Sequence, residues 1–175
     1  MITIISGSVR DNNNTKKVAE VYEAQLKNRN ADVQLLALDE VKVFERDDDF
    51  ISMEKKYLVP AEAFIIVMPE YNGSYPGILK LMIDNSDIAK CWHHKKVLLT
   101  GVATGRAGNL RGMEHLTGSL LHMKMLVHPN RLPISAVDKL LDANQRLSDP
   151  GTLKAINTQL DEYFKFVGVV SGEKV

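Results

Sequence analysis

The stretch "AFIIVMPEYNGSYPGILKLMID", residues 63–84, joins an apolar run to an amphipathic segment through a loop bounded by two prolines. The apolar run predicts a strand, because short runs rich in Ile and Val are typical of parallel strands covered on both faces. Pro69 ends this strand by withholding a hydrogen-bond donor, and Pro76 suits the first turn of a helix. Asn72 and Gly73 tolerate positive φ angles, so their main-chain amides can turn toward a ligand.

The same alternation of apolar and amphipathic segments extends along the whole chain. The predicted strands are residues 1–5, 33–38, 63–68, 96–102 and 125–129. The clearest helix follows the last of these, with Asp149 as its N-cap and Pro150 in its first position. We therefore expect residues 1–175 to form a single domain, a three-layer α/β/α sandwich around a five-stranded parallel sheet. In the flavodoxin-like order 2-1-3-4-5, strands one, three and four are neighbours.

Composition and charge limit the possible partners. The 175 residues are 45% hydrophobic, and 22 basic residues balance 22 acidic ones. Without a net charge, neither a nucleic acid nor an anionic membrane is an expected partner, which leaves small molecules and other protein chains. Cys91 is the single cysteine and no apolar run approaches 18 residues, so we expect no disulfide, no membrane span and a cytoplasmic location.

Three loops rich in glycine and small polar residues follow predicted strands one, three and four. They are "SGSVRDNNNT" (6–15), "PEYNGSYPG" (69–77) and "ATGRAGN" (103–109), whereas the segment after strand two contains no glycine. Parallel sheets bind ligands beyond the carboxyl ends of their strands, at the point where the strand order reverses. The three loops are therefore expected to border one crevice.

The first loop has the chemistry of a phosphate site. Its serine and asparagine side chains can donate hydrogen bonds, Arg10 adds a positive charge, and a helix predicted to begin near Thr15 directs free N–H groups at an anion. The Walker pattern and GxGxxG are both absent, which favours a monophosphate over a nucleoside triphosphate or a dinucleotide. The alternative is a plain turn with Asn14 or Thr15 as an N-cap. In the third loop and the strand end before it, Gly101, Gly105 and Gly108 permit a close approach to a ligand or form a flexible connection.

Taken together, the motifs resemble the NAD(P)H-dependent FMN reductases, a family of flavodoxin-like quinone, azo-dye, chromate and flavin reductases. The residues that carry the resemblance are "GSVR" (7–10), "PEYNGSYPGILKLMID" (69–84) and "TGVATGRAGNLRGMEHL" (100–116). They occur in the order and spacing of that family, and the resemblance covers roughly residues 1–130.

The resemblance implies FMN as the cofactor and NADPH or NADH as the reductant. The FMN phosphate is expected to contact Ser8, Arg10, Asn14 and Thr15. The isoalloxazine ring is expected to contact Pro69, Glu70, Tyr71, Asn72 and Gly73. The third side of the ring is expected to be closed by Ala103, Thr104, Gly105 and Gly108.

The resemblance also implies a ping-pong reaction and an assembly. Hydride passes from NAD(P)H to the flavin and then to a small-molecule electron acceptor, such as a quinone, free flavin or azo compound. No side chain is expected to act as catalytic acid, base or nucleophile, and Glu70 is expected to make a structural hydrogen bond instead. By the resemblance, the chain is expected to form a homodimer or homotetramer, with the helices after strands three and four in contact.

Some positions depart from the family pattern, and one alternative function stays open. "DNNN" at residues 11–14 replaces a serine-rich segment, and Asn85 stands where a tryptophan is often found. The alternative is a flavodoxin-like electron carrier or FMN-binding module without turnover. A neutral net charge favours the enzyme, because carriers of that kind tend to be acidic. The five histidines show no metal-ligand spacing, so no metal site is expected.

Overall fold

The computed structural model describes residues 1–168. Its strands are β1 (Ile2–Ser6), β2 (Val33–Ala37), β3 (Ala63–Pro69), β4 (Lys96–Val102), β5 (Leu126–Val127) and β6 (Leu132–Ile134). Its α-helices are α1 (Asn14–Asn28), α2 (Asp48–Met53), α3 (Gly77–Asn85), α4 (Ile88–Cys91), α5 (Leu110–His122) and α6 (Pro150–Val167). A π-helical turn (Glu54–Leu58) continues α2, and a 3₁₀ turn (Val137–Lys139) follows β6.

All strand pairs are parallel, and the order β2-β1-β3-β4-β5 confirms the predicted flavodoxin-like sheet. The predicted fifth strand is shorter than expected, because only Leu126 and Val127 pair with β4. A sixth strand, β6, pairs with residues 100–102 of β4 and was not predicted. It comprises three residues around Pro133, too few for a recognisable sequence pattern. The edge of β4 is thus covered by β5 and then by β6.

Each face of the sheet carries its own apolar core, as a doubly wound fold requires. Ile4 of β1 packs with the α1 and α6 side, whose buried residues include Tyr22 and Leu160. Ile5, the next residue, packs with the α3 and α5 side, where Met113 is buried. Because both faces of the strand are covered, its neighbouring residues Ile4 and Ile5 are both apolar.

The helix boundaries agree with most of the predicted signals. Asp149 caps α6 through a hydrogen bond from the Thr152 amide, and Pro150 is the first helical residue, as predicted. Pro76 differs, since it is the N-cap of α3 and the helix begins one residue later. Leu110, an apolar residue at the first position of α5, is 51% exposed.

A buried carboxylate fastens α2 to α4. Glu54 is 4% exposed and accepts two hydrogen bonds from the Arg46 guanidinium, at 2.9 and 2.8 Å. The same carboxylate accepts from the main-chain amide of Asp87 and from the Cys91 thiol. The Arg46 hydrogen bonds lower the pKa of Glu54, while burial raises the pKa of Cys91 to about 12. Glu54 is therefore a charged structural anchor between the π-helical turn and α4.

Across residues 1–168, the helices are too short or too polar for any of them to cross a membrane.

Candidate functional site

A cavity of about 620 Å³ lies beyond the carboxyl ends of β1, β3 and β4. The three loops singled out in the sequence all border it, together with part of the 3₁₀ turn. Its volume is within the range of small-molecule sites. The lining includes every residue expected to contact the cofactor except Gly108, namely Ser8, Arg10, Asn14, Thr15, Pro69, Glu70, Tyr71, Asn72, Gly73, Ala103, Thr104 and Gly105.

The first loop ends in a capped helix whose first amides are free. The N-cap is Asn13, and neither Asn14 nor Thr15, because the Asn13 side chain accepts a hydrogen bond from the Lys16 amide at 2.7 Å. The amides of Asn14 and Thr15, which open α1, have no acceptor within residues 1–168. Free amides at a helix N-terminus suit an anion. Asn12, in the left-handed region at φ 47°, makes the turn that directs the chain into the helix.

The first and second loops meet through Ser8 and Tyr71. Their hydroxyl groups are 2.9 Å apart, and the Arg10 guanidinium lies 4.2 Å from the centre of the Tyr71 ring. The Ser8 hydroxyl also accepts from the Arg10 amide at 3.3 Å. Arg10 makes no ion pair within residues 1–168, so its charge is available to a ligand in the cavity.

The second loop is a tight hairpin turn. Tyr71 and Ser74 exchange two main-chain hydrogen bonds, at 2.9 and 3.2 Å. Asn72 and Gly73 between them have φ angles of 53° and 78°, the arrangement in which Asn-Gly is favoured. Their amides have no acceptor in the part of the chain that the structure describes and remain available to the edge of a planar ring.

The hydrogen bonds of Glu70 differ from those that the sequence predicts. Its amide donates to the Val102 carbonyl at 3.3 Å, but its half-buried carboxylate makes no hydrogen bond within residues 1–168. The structural hydrogen bond predicted for this side chain is thus not observed. The carboxylate lines the cavity together with that of Asp11, so the lining carries acidic as well as basic groups.

The third loop is held from behind by β6 and the turn that follows it. The Ala103 amide donates to the Ile134 carbonyl at 3.0 Å, and the Val137 amide donates back to the Ala103 carbonyl at 3.1 Å. The Ala136 amide binds the Gly105 carbonyl at 3.1 Å. Val137 also lines the cavity. Sequence reasoning missed Val137 because it missed the strand that positions it.

Gly108 is a packing residue of the third loop and not part of the cavity lining. Its φ is 55°, and a Cβ atom there would lie 2.7 Å from Cβ of Pro133 on β6. Gly101 is equally constrained, since its Cβ would lie 2.2 Å from the Gly108 carbonyl oxygen. Gly105 has open space instead, with nothing within 4 Å of its Cβ position. Of the three glycines, only Gly105 is therefore free to serve a ligand.

Asn109, which is not part of the lining, was also not predicted from the sequence. It is fully buried, with φ at 64°, and its side-chain amide donates to the carbonyls of Met68 and Pro69 at 3.1 and 2.8 Å. Its side-chain oxygen has no partner within residues 1–168. Asn109 therefore fastens the third loop to the end of β3.

The hydrogen-bond donors and the positive charge that line the cavity suit FMN. Free helix amides, hydroxyl groups and Arg10 at one end suit a phosphate. The free amides of Asn72 and Gly73 suit the polar edge of a flavin ring, while Tyr71 and the glycine-bearing third loop leave space for a flat group. Within residues 1–168, no three His, Cys, Asp or Glu side chains cluster in a way that could hold a metal ion.

Comparison with known proteins agrees with this geometry. A sequence model of the family described as NADPH-dependent FMN reductase matches residues 1–138. A 2-hydroxy-1,4-benzoquinone reductase of Burkholderia sp. is 25% identical, over 95% of each chain. An NADPH azoreductase of Bacillus sp. (strain OY1-2) is 26% identical, over 78% of this chain and 75% of its own. FerB, a flavoenzyme NAD(P)H:(acceptor) oxidoreductase of Paracoccus denitrificans, superposes with a TM-score of 0.79 at 20% identity, over 95% and 96% of the two chains.

Proposed function

Because the chain belongs to the NADPH-dependent FMN reductase family, we propose that it is a cytoplasmic quinone reductase whose residues 1–175 form one FMN-binding domain. It is an oxidoreductase with FMN as cofactor and NAD(P)H as reductant. The single observation that carries the proposal is the meeting of three sequence-distant loops around one cavity of about 620 Å³. The choice of a quinone as acceptor rests on the Burkholderia relative, which is similar over nearly its whole length.

Different residues of the cavity bind the phosphate and the ring of FMN. The first two amides of α1, the Ser8 hydroxyl and Arg10 bind the phosphate, where the helix dipole favours negative charge. The amides of Asn72 and Gly73 donate to the polar edge of the ring. The chemistry that FMN supplies is acceptance of a hydride from NAD(P)H and delivery of two electrons to the acceptor, in a ping-pong cycle.

The protein contributes orientation and electrostatics to this chemistry. The hairpin turn at Asn72 and Gly73 is fixed by two hydrogen bonds, so its amides are preorganised and need no rearrangement during the reaction. Ala103 and Gly105, held from behind by β6 and the turn after it, limit the space beside the ring. The Glu70 carboxylate carries no assigned proton transfer, because solvent at the open mouth can supply protons to the acceptor.

A spectroscopic titration tests the proposal. The purified protein is expected to bind FMN, to lose the visible flavin absorbance on anaerobic addition of NADPH, and to regain it when a quinone is added. Initial rates at several quinone concentrations should give parallel double-reciprocal lines, the pattern of a ping-pong reaction. Uptake of FMN without reduction by NADPH would instead support the carrier function, and a failure to bind FMN would refute the proposal.

We also propose that two copies of the chain associate through the groove between α3 and α5. This groove has a volume of about 660 Å³ and is lined in part by Ile88, which is 43% exposed. Lys80 and Asp84 lie on one of its walls, where they form an ion pair with each other and leave no net charge to repel a second copy. Gly118 on α5 has nothing within 4 Å of its Cβ position, which leaves room for close helix contact.

Sedimentation at several concentrations tests this association. The wild-type protein is expected to sediment as a dimer, or as a tetramer built from such dimers. Gly118→Glu should sediment as a monomer, because it places an uncompensated charge in the contact. Lys154→Glu, on the exposed side of α6, is the control and should leave the assembly unchanged. A wild-type monomer would contradict the proposal.

A further inference from the structure

Arg111, the second residue of α5, is not part of the cavity lining but contacts Gly73, which is, and it has no role in the function proposed above. The Cβ position of Gly73 lies only 3.1 Å from Nη1 of Arg111, so the guanidinium rests directly against this glycine. Gly73 itself lines the cavity. A side chain at position 73 would displace the Arg111 guanidinium. Glycine is therefore favoured here by this contact as well as by its positive φ.

The charge of Arg111 is not neutralised by the protein. Its side chain is exposed and makes neither an ion pair nor a hydrogen bond within residues 1–168. Within residues 1–168, the arginines paired with carboxylates are Arg29 with Asp161, Arg46 with Glu54 and Arg131 with Glu114, and none of these three lines the cavity. An unpaired guanidinium at the mouth of a site attracts an anionic ligand and can bind a carboxylate-like group through two hydrogen bonds.

The FMN phosphate does not account for this charge. Arg10 lies on the Tyr71 ring beside the first loop, where the free amides of α1 also lie. Arg111 instead contacts the hairpin whose amides are assigned to the ring edge. Arg111 therefore lies beside the part of the cavity assigned to the ring, which the second substrate must approach.

We propose that Arg111 is a specificity-determining residue that binds the ionised acidic group of the electron acceptor, and that the acceptor class is the anionic quinones. A 2-hydroxyquinone is such a compound, since it is a vinylogous carboxylic acid and is ionised at neutral pH. The inference rests on the proposed quinone reductase function. In the balanced reaction, NAD(P)H gives a hydride and solvent gives a proton, the quinone takes up both to become the hydroquinone, and the acidic group keeps its charge.

The test compares two naphthoquinones that differ in charge. With FMN-loaded protein, Arg111→Gln is expected to raise the dissociation constant of 2-hydroxy-1,4-naphthoquinone, measured by calorimetry without reductant, by about tenfold, the effect of losing a charge-assisted hydrogen bond. The KM for this quinone should rise similarly. Values for the neutral 2-methoxy-1,4-naphthoquinone should change by less than about twofold. Arg111→Lys should retain most of the binding, and Lys154→Gln, the same charge change far from the cavity, should have no effect.

A third comparison shows whether Arg111 binds the electron acceptor or the 2′-phosphate of NADPH. The ratio of KM values for NADPH and NADH should be the same in Arg111→Gln and in the wild type. A selective loss of NADPH use would overturn the inference and assign Arg111 to the 2′-phosphate of the reductant. Equal effects on both quinones, or none, would also overturn it. Failure of the wild-type protein to bind FMN or to reduce 2-methoxy-1,4-naphthoquinone would refute the underlying quinone reductase function instead.

Discussion

The side-chain amide of Asn109 donates a hydrogen bond of 2.8 Å to the main-chain carbonyl of Pro69. Asn109 belongs to the third loop and Pro69 ends β3, so this contact joins two of the three loops that form the cavity. The residue also caps α5 in a left-handed conformation, which asparagine tolerates better than most residues. The backbone of Asn109 thus begins the helix, while its side chain, which makes no capping hydrogen bond to α5, joins the loops.

Replacing Asn109 is expected to cost both stability and flavin affinity. Asn109→Ala leaves the Met68 and Pro69 carbonyls without their donor and places alanine at φ 64°, so the free energy of unfolding should fall by about 2–4 kcal/mol. Urea denaturation measures the loss, and fluorescence titration should show weaker FMN binding. Asn144→Ala, in an exposed loop, is the matched control. Unchanged FMN affinity in Asn109→Ala would show that the contact between the loops is dispensable for the site.

Of two glycines in the third loop, only one should lose stability when replaced by alanine. Gly108→Ala brings a Cβ within 2.7 Å of Pro133 at a φ of 55°, and we expect it to reduce the free energy of unfolding by roughly 2–4 kcal/mol. Gly105→Ala enters open space and should leave stability within about 0.5 kcal/mol of the wild type. Thermal unfolding of the two proteins side by side measures the difference. Similar midpoints would contradict the packing role of Gly108.

Replacing Arg10 should weaken the binding of FMN, which has a phosphate, and leave the binding of riboflavin unchanged. Arg10→Gln removes the positive charge beside the free amides of α1, so the dissociation constant for FMN should rise by about tenfold. Riboflavin, which lacks the phosphate, should bind the variant and the wild type equally well. Quenching of flavin fluorescence reports both affinities. An equal loss for the two flavins would mean that Arg10 acts through the Tyr71 ring and not through charge.

Glu54 should make stability depend on pH in the acid range. Its pKa in the folded protein is lowered by the hydrogen bonds from Arg46, so folding favours the ionised form. The contribution is complete above the ordinary carboxyl pKa of 4.5 and is lost as the pH falls through the lower value of the folded state. Glu54→Gln should reduce the free energy of unfolding by roughly 1–3 kcal/mol at pH 7 and by less at pH 3. Denaturation at both pH values measures this, and a loss that does not shrink at low pH would contradict the role of the charge.

Much of the fold follows from local patterns in the sequence, because each of the main strands carries a continuous apolar run and several helices carry clear caps. The position of the cavity follows as well, since loops after neighbouring parallel strands must share an edge of the sheet. The contacts that depend on distant partners could not be predicted. Asn109 has no local pattern, and Val137 reaches the cavity only because β6 pairs with β4. Gly108 was predicted to face the ligand. In the structure it instead leaves the space that Pro133 of β6 occupies.

The buried thiol of Cys91 makes site-specific labelling of this protein simple. Cys91 is the single cysteine of the chain, and it is fully buried with its pKa raised to about 12 by desolvation. Because thiolates are the reactive form, maleimide reagents should leave the native protein unmodified at neutral pH. A cysteine engineered at the exposed Ala143 would then be the only labelled position. Fluorophores or spin labels could be attached there without first deleting a native residue.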